Sequence, residues 1–166
     1  MKILVIGLGN PILGDDGVGW KVAEAVSGFL ASTPCLLTQN DNHKVDIEFA
    51  ALGGLSLMEQ MIGYDRVILI DSIETGESAV GSVKAFPLAA LENPRSGHSA
   101  STHDTSLMTA LQTAQLMGME VPARVHVVAI EAKNAYDFSE SLSPEVQRAV
   151  PVATQKVLHM LRDEPI

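Results

Sequence analysis

Ile3-Leu4-Val5-Ile6-Gly7-Leu8-Gly9-Asn10-Pro11-Ile12-Leu13-Gly14-Asp15-Asp16-Gly17-Val18-Gly19 is the stretch from which the rest of the chain can be read. Its first four residues form an uninterrupted apolar run, as in a parallel strand buried on both faces. Trp20-Lys21-Val22-Ala23-Glu24-Ala25-Val26 follows directly and reads as a helix. Val18, Val22, Ala25, Val26 and Phe29 fall on one stripe of a helix running from Gly17 to Phe29. A glycine-rich loop with two adjacent acids therefore lies between a first strand and a first helix. Open α/β sheets bind ligands at that place, outside the carboxyl ends of the strands.

Phosphate cradles fit this loop badly. Gly9-x-x-x-x-Gly14 has the spacing that opens a Walker A loop, but Asp15-Asp16 stand where Lys and Ser or Thr belong. Carboxylates there repel a triphosphate. Gly7-x-Gly9 lacks the third glycine of a dinucleotide fingerprint, Ile12 taking its place, and Pro11 removes an N–H donor. Asp16 is expected to cap the following helix. Capping alone does not account for two consecutive acids in so long a loop. They are also suited to binding a cation or activating water.

The chain has 166 residues, 46% of them hydrophobic and 19% charged, which fits one folded domain over 1–166 with a substantial core. Its formal charge of −9 disfavours nucleic acid and anionic membrane as partners and is compatible with a metal or a cationic protein surface. No apolar run is long enough to span a bilayer. The apolar start breaks into Gly-Asn-Pro too early for a signal peptide. A single cysteine, Cys35, excludes an internal disulfide and suits a reducing, cytoplasmic setting. With no adjacent histidine, Cys35 reads as an ordinary thiol and not a nucleophile.

Farther along, Ser32 to Lys44 reads as a connection with a short strand at Cys35–Thr38, and His43 as a solvated residue. Val45-Asp46-Ile47-Glu48-Phe49 alternates like a half-buried strand. Gly53-Gly54 marks a turn, and Leu55, Met58, Met61 and Ile62 suit a short helix. Val67-Ile68-Leu69-Ile70 repeats the buried-strand pattern and ends in Asp71. Ser82–Pro87 reads as an edge strand closed by proline, and Pro94 to Ala100 as a flexible loop. Ser101-x-x-Asp104 has the form of a capping box opening a helix that Gly118 ends. Arg124-Val125-His126-Val127-Val128-Ala129-Ile130 reads as the last strand, leading to Glu131. Ser143-Pro144 starts a last helix with Val146, Val150, Ala153, Val157 and Leu161 inward and a kink expected at Pro151. Alternating strands and helices predict a three-layer α/β/α fold around a mainly parallel sheet.

Gly7-x-Gly9-Asn10-x-x-x-x-Asp15-Asp16-Gly17-x-Gly19, together with Val67-Ile68-Leu69-Ile70-Asp71 and Ser101-Thr102-His103, resembles the hydrogenase maturation endopeptidases. That resemblance covers most of the chain. It implies a phosphorylase/hydrolase-like five-stranded sheet in the order 2-1-3-5-4 with strand 4 antiparallel. It implies an endopeptidase that removes a C-terminal extension from the nickel-loaded precursor of a nickel–iron hydrogenase large subunit. The nickel arrives with the substrate, another divalent ion being able to replace it in crystals, and the enzyme is expected to be a monomer. The family's metal-binding carboxylate falls on Asp16, its strand-end aspartate on Asp71 and its histidine on His103. No Ser or Cys nucleophile belongs to the family, and none is evident here.

With strands 1 and 3 adjacent, Asp16 and Asp71 should meet at one sheet edge, and His103 should join them from its helix start. Two oxygens and an imidazole nitrogen suit nickel or zinc with positions left open. The positive end of a helix dipole favours the neutral, metal-binding imidazole. Asn10, Gly17 and the other loop glycines are expected to hold the backbone shape. Asp15 is either an acid behind the metal ligands or an acceptor for loop amides. His98, in the 92–102 loop, is a candidate flap residue, and mid-strand His126 a packed one. Water activation by the ion and by a carboxylate both fit the sequence. A non-catalytic nickel-checking or chaperone module would use the same ligands, and a nucleotide-binding module is disfavoured by Asp15-Asp16.

Overall fold

The amino-terminal apolar run becomes strand β1 (Lys2–Leu8), buried at every residue after Lys2. The structure is a computed structural model describing residues 1–33, 43–51, 53–92, 102–133 and 137–162, with the backbone alone for 91–92 and 102–106. The other strands are β2 (Lys44–Ala50), β3 (Arg66–Ile73), β4 (Val83–Pro87) and β5 (Arg124–Glu131). They form one five-stranded sheet in the order β2-β1-β3-β5-β4. Only the β4–β5 pair is antiparallel. This is the order that the family resemblance implies.

Period-two alternation divides the strands between two cores. Ile3, Val5, Ile68, Ile70, Val128 and Ile130 face helices α1 (Val18–Ser32) and α4 (Pro144–Arg162). Leu4, Ile6, Val67, Leu69 and Val127 face α2 (Gly54–Met61) and α3 (Thr102–Leu116). The result is the expected three-layer sandwich. Central β3 is buried along its whole length, which explains why it reads as a continuous apolar run. β4 is the partly exposed edge strand, ending at Pro87 where a ladder N–H is dispensable.

Some boundaries differ from the sequence expectation. α1 continues to Ser32, and its added turn packs Leu30 against the core. β3 extends to Ile73, so Asp71 lies inside the strand and not after it. α4 runs from Pro144 to Arg162 with Pro151 inside it, as expected. Pro151 and Gln147, whose carbonyl loses its partner, are both exposed, so water can satisfy that carbonyl. The expected strand at Cys35–Thr38, the loop Pro94–Ala100 with His98, and Ser101 lie outside the described residues. Among the described residues no helix is long and apolar enough to cross a membrane.

Candidate functional site

Two glycines bring the first helix onto the sheet edge. Gly9 has φ 111°, and a Cβ there would fall 1.9 Å from the Asp16 carbonyl oxygen. A Cβ on Gly19 would fall 2.2 Å from the Leu8 carbonyl oxygen and 2.4 Å from that of Ile70. The start of α1 is thus pressed against the carboxyl ends of β1 and β3, a contact closed to any residue with a side chain. The loop enters α1 through a 3₁₀ turn, Gly14–Gly17.

Asp16 sits on this turn, partly buried. Its Oδ2 accepts the Asn10 amide at 2.6 Å and its Oδ1 the Ser72 hydroxyl at 3.3 Å. The expected helix cap is therefore corrected: the N-cap of α1 is Gly17, with no side-chain hydrogen bond to the helix. The Asp16 amide is tied back to the Leu13 carbonyl at 3.1 Å, and its carboxylate turns toward β3 instead of over the α1 amides. Asn10 shapes the loop as expected, its Oδ1 accepting the Ile12 amide at 3.2 Å.

Asp71 is 6% exposed, and its Oδ1 accepts the Ser72 amide at 2.9 Å. Ser72 thus joins the two acids, its amide on Asp71 and its hydroxyl on Asp16. Strand alternation places Asp71 on the face of Val67 and Leu69, the face that α3 covers. The C-terminal side of α3 is held at the opposite, amino edge of the sheet. There the Gly63 amide bonds the Glu120 carbonyl at 2.9 Å and the Ala123 amide the Asp65 carbonyl at 3.0 Å. Fifteen residues of helix span about 22 Å, so the first turn of α3, with His103, stands toward the carboxyl edge. The His103 side chain lies outside the described residues. Among the described residues no three His, Cys, Asp or Glu side chains form a metal-binding group. Asp16 and Asp71 are the two carboxylates that Ser72 joins at this edge.

Asp15 works differently from its neighbour. It is 1% exposed, and it accepts the Ser143 amide at 2.6 Å and the Ser143 hydroxyl at 2.9 Å. Of the two roles open to it, it serves as an amide acceptor, for the residue before α4 and not for its own loop. Gly14 N bonds Ser139 O at 2.7 Å and Ser139 N bonds Ile12 O at 3.1 Å, so two strips of chain clasp the loop.

Residues passed over in the sequence complete the edge. Ser72 orients Asp16 and Asp71 and Ser143 orients Asp15, and a serine beside a strand-end Asp or before a helix-opening Pro was the available signal. Glu131, 2% exposed at the end of β5, accepts the Thr75 and Gly76 amides at 2.8 Å each and the Thr75 hydroxyl at 2.7 Å. It fixes the loop leaving β3. His126 is registered with Ile68 and Pro87, toward the amino end of β5 and away from this edge. Burial, then the charges of Arg66 and Arg124, hold its imidazole below the usual range.

Known proteins share this fold. A family model described as hydrogenase maturation protease matches residues 37–160. The chain is 26% identical over 169 residues to the hydrogenase 2 maturation protease of Escherichia coli K12, covering 100% of this chain and 94% of that protein. It is 26% identical over 161 residues to the hydrogenase expression/formation protein HupD of Rhizobium leguminosarum bv. viciae, covering 97% and 74%. The solved structure of the hydrogenase maturating endopeptidase HybD from E. coli superposes with a TM-score of 0.71 at 25% identity, over 98% of this chain and 93% of that one. HybD from Thermococcus kodakarensis shares the fold, with a TM-score of 0.70 at 23% identity over 97% and 99%.

Proposed function

Because the chain belongs to the hydrogenase maturation protease family, we propose that it removes a C-terminal extension from the nickel-loaded precursor of a nickel–iron hydrogenase large subunit. The observation that carries this reading is the pairing of Asp16 and Asp71 through Ser72 at the carboxyl edge. Two carboxylates held on either side of one serine form the acidic half of a cation site.

On this reading Asp16, Asp71 and His103 grip the nickel that the precursor brings, and the scissile peptide is fixed by its tether to that ion. Holding the reacting groups together removes much of the entropic barrier to cleavage. A carboxylate has about four lone-pair positions, and the described contacts of Asp16 use two. The others remain for the ion or for the proton of an attacking water. Ser72 and the Asn10 amide keep that carboxylate aimed, and Asp15 and Glu131 hold the loops around it. The protein acts in the cytoplasm as a monomer and retains no nickel of its own after product release.

The test is to incubate the protein with nickel-loaded and nickel-free precursor and to measure the mass of each large subunit. Shortening of the loaded form alone is expected. An intact mass for the loaded form, with nickel verified in the precursor, sinks the peptidase reading and favours a nickel-checking module. Loss of the extension from the nickel-free form at equal rate removes the substrate-borne ion from the scheme.

A further inference from the structure

The opposite edge of the sheet holds a cluster that this chemistry does not use. Arg66 opens β3 and Arg124 opens β5, and the two are register partners, with His126 opposite Ile68. Alternation places Arg66 on the face of Ile68 and Ile70, and Arg124 and His126 on the face of Val128 and Ile130. All three therefore share the face covered by α1 and α4. Arg66 is 5% exposed and its Nε is buried without a hydrogen-bond partner, as is His126 Nδ1. Among the described residues Arg66 has no ion pair. After burial, the influence felt by Arg66 is the charge of Arg124, and those felt by His126 are the charges of Arg66 and Arg124.

Among the described residues a guanidinium held this way is uncompensated: it has lost water, gained a like charge and found no acceptor. Such a group is destabilising when no counter-charge meets it. A fork of N–H donors is also the geometry that binds carboxylate and phosphate in bidentate fashion. We propose that Arg66, Arg124 and His126 form a binding site for an oxyanion group at the amino edge, separate from the acidic site. Arg66 Nε–H donates to the oxyanion, Arg124 supplies a second positive charge at the exposed side, and His126 donates from its Nδ1–H. The oxyanion comes from outside the chain.

The experiment titrates inorganic phosphate into the full-length ¹⁵N-labelled protein at constant ionic strength. It follows the Arg66 Nε–H and His126 ring signals. A saturable shift of both, with apparent affinity about tenfold weaker in Arg66→Gln, supports a site for an external oxyanion. No response in the wild type overturns the proposal, as does an affinity undiminished in Arg66→Gln. Should Arg66→Gln fail to fold, Arg124→Gln at its exposed position makes the same comparison.

Discussion

Asp15 and Asp16 are neighbours in sequence, and their removal should have opposite consequences. Asp15→Ala deletes both acceptors of Ser143, at 2.6 and 2.9 Å, and leaves the Ser143 amide without its partner beside the start of α4. A hydrogen bond to a charged group contributes about 1.5–3 kcal/mol. The two share one carboxylate and do not add fully, so the expected loss is about 3 kcal/mol. For a chain of this size that lowers the melting temperature by about 6–12 °C. Asp16→Asn keeps a carbonyl oxygen for the Asn10 amide and an amide donor that the Ser72 hydroxyl can accept. Its stability cost should be below about 1 kcal/mol, because neutral hydrogen bonds replace charged ones without orphaning a group. Cleavage should nevertheless fall by about 10²–10⁴, the range for losing a proton acceptor at the reacting centre. Thermal melts and precursor cleavage on the same preparations decide the matter. An Asp15→Ala protein that melts with the wild type would show that the Ser143 clasp contributes nothing. An Asp16→Asn protein that cleaves at full rate would falsify the functional reading of the loop.

Three further outcomes follow from the geometry. Glu131→Gln should loosen the Thr75–Gly76 turn and raise hydrogen exchange at the Gly76 amide by about tenfold, since a charged acceptor becomes neutral; unchanged exchange would remove Glu131 as the anchor. Gly19→Ala should destabilise by about 1–3 kcal/mol or more, because its methyl group meets two backbone carbonyls; a wild-type melting temperature would refute the close contact. His126 is held below its ordinary pKa of 6.5 by burial and by two guanidiniums, so its unfolded form takes up a proton first. Stability present above pH 6.5 should then be lost as pH falls through the folded pKa, and His126→Gln should flatten that acid limb in phosphate-free buffer. Parallel acid limbs in the two proteins would count against it.

How far the sequence could be read depended on whether the signal was local. The first strand, the glycine loop and the first helix were legible because the apolar run and the glycines lie within one short stretch. Asp71 was found for the same reason, standing at the end of a pure apolar run. The order of the strands was not local and came only with the family resemblance. Capping by Asp16 was a local inference that failed, because Ser72, 56 residues away, competes for the carboxylate. Ser143 partners Asp15 from 128 residues away, and no spacing rule reaches that far. The Arg66–Arg124–His126 cluster is likewise a cross-strand neighbourhood, invisible until β3 and β5 are registered.

The clasp between the Ile12–Asp15 strip and the Ser139–Ser143 strip also sets a timetable. A ribosome delivers the acid-bearing loop near the beginning of synthesis and its fasteners near the end, 128 residues later for Ser143. Until then Asp15 is an exposed acid on a loose turn, and Asp16 rides on that turn. Contacts so distant in sequence close late, after the local helices have formed. The peptidase should therefore be born inert, gaining cleavage in one step when α4 docks. In refolding from denaturant, activity should return with that docking phase and not with the earlier recovery of helix signal.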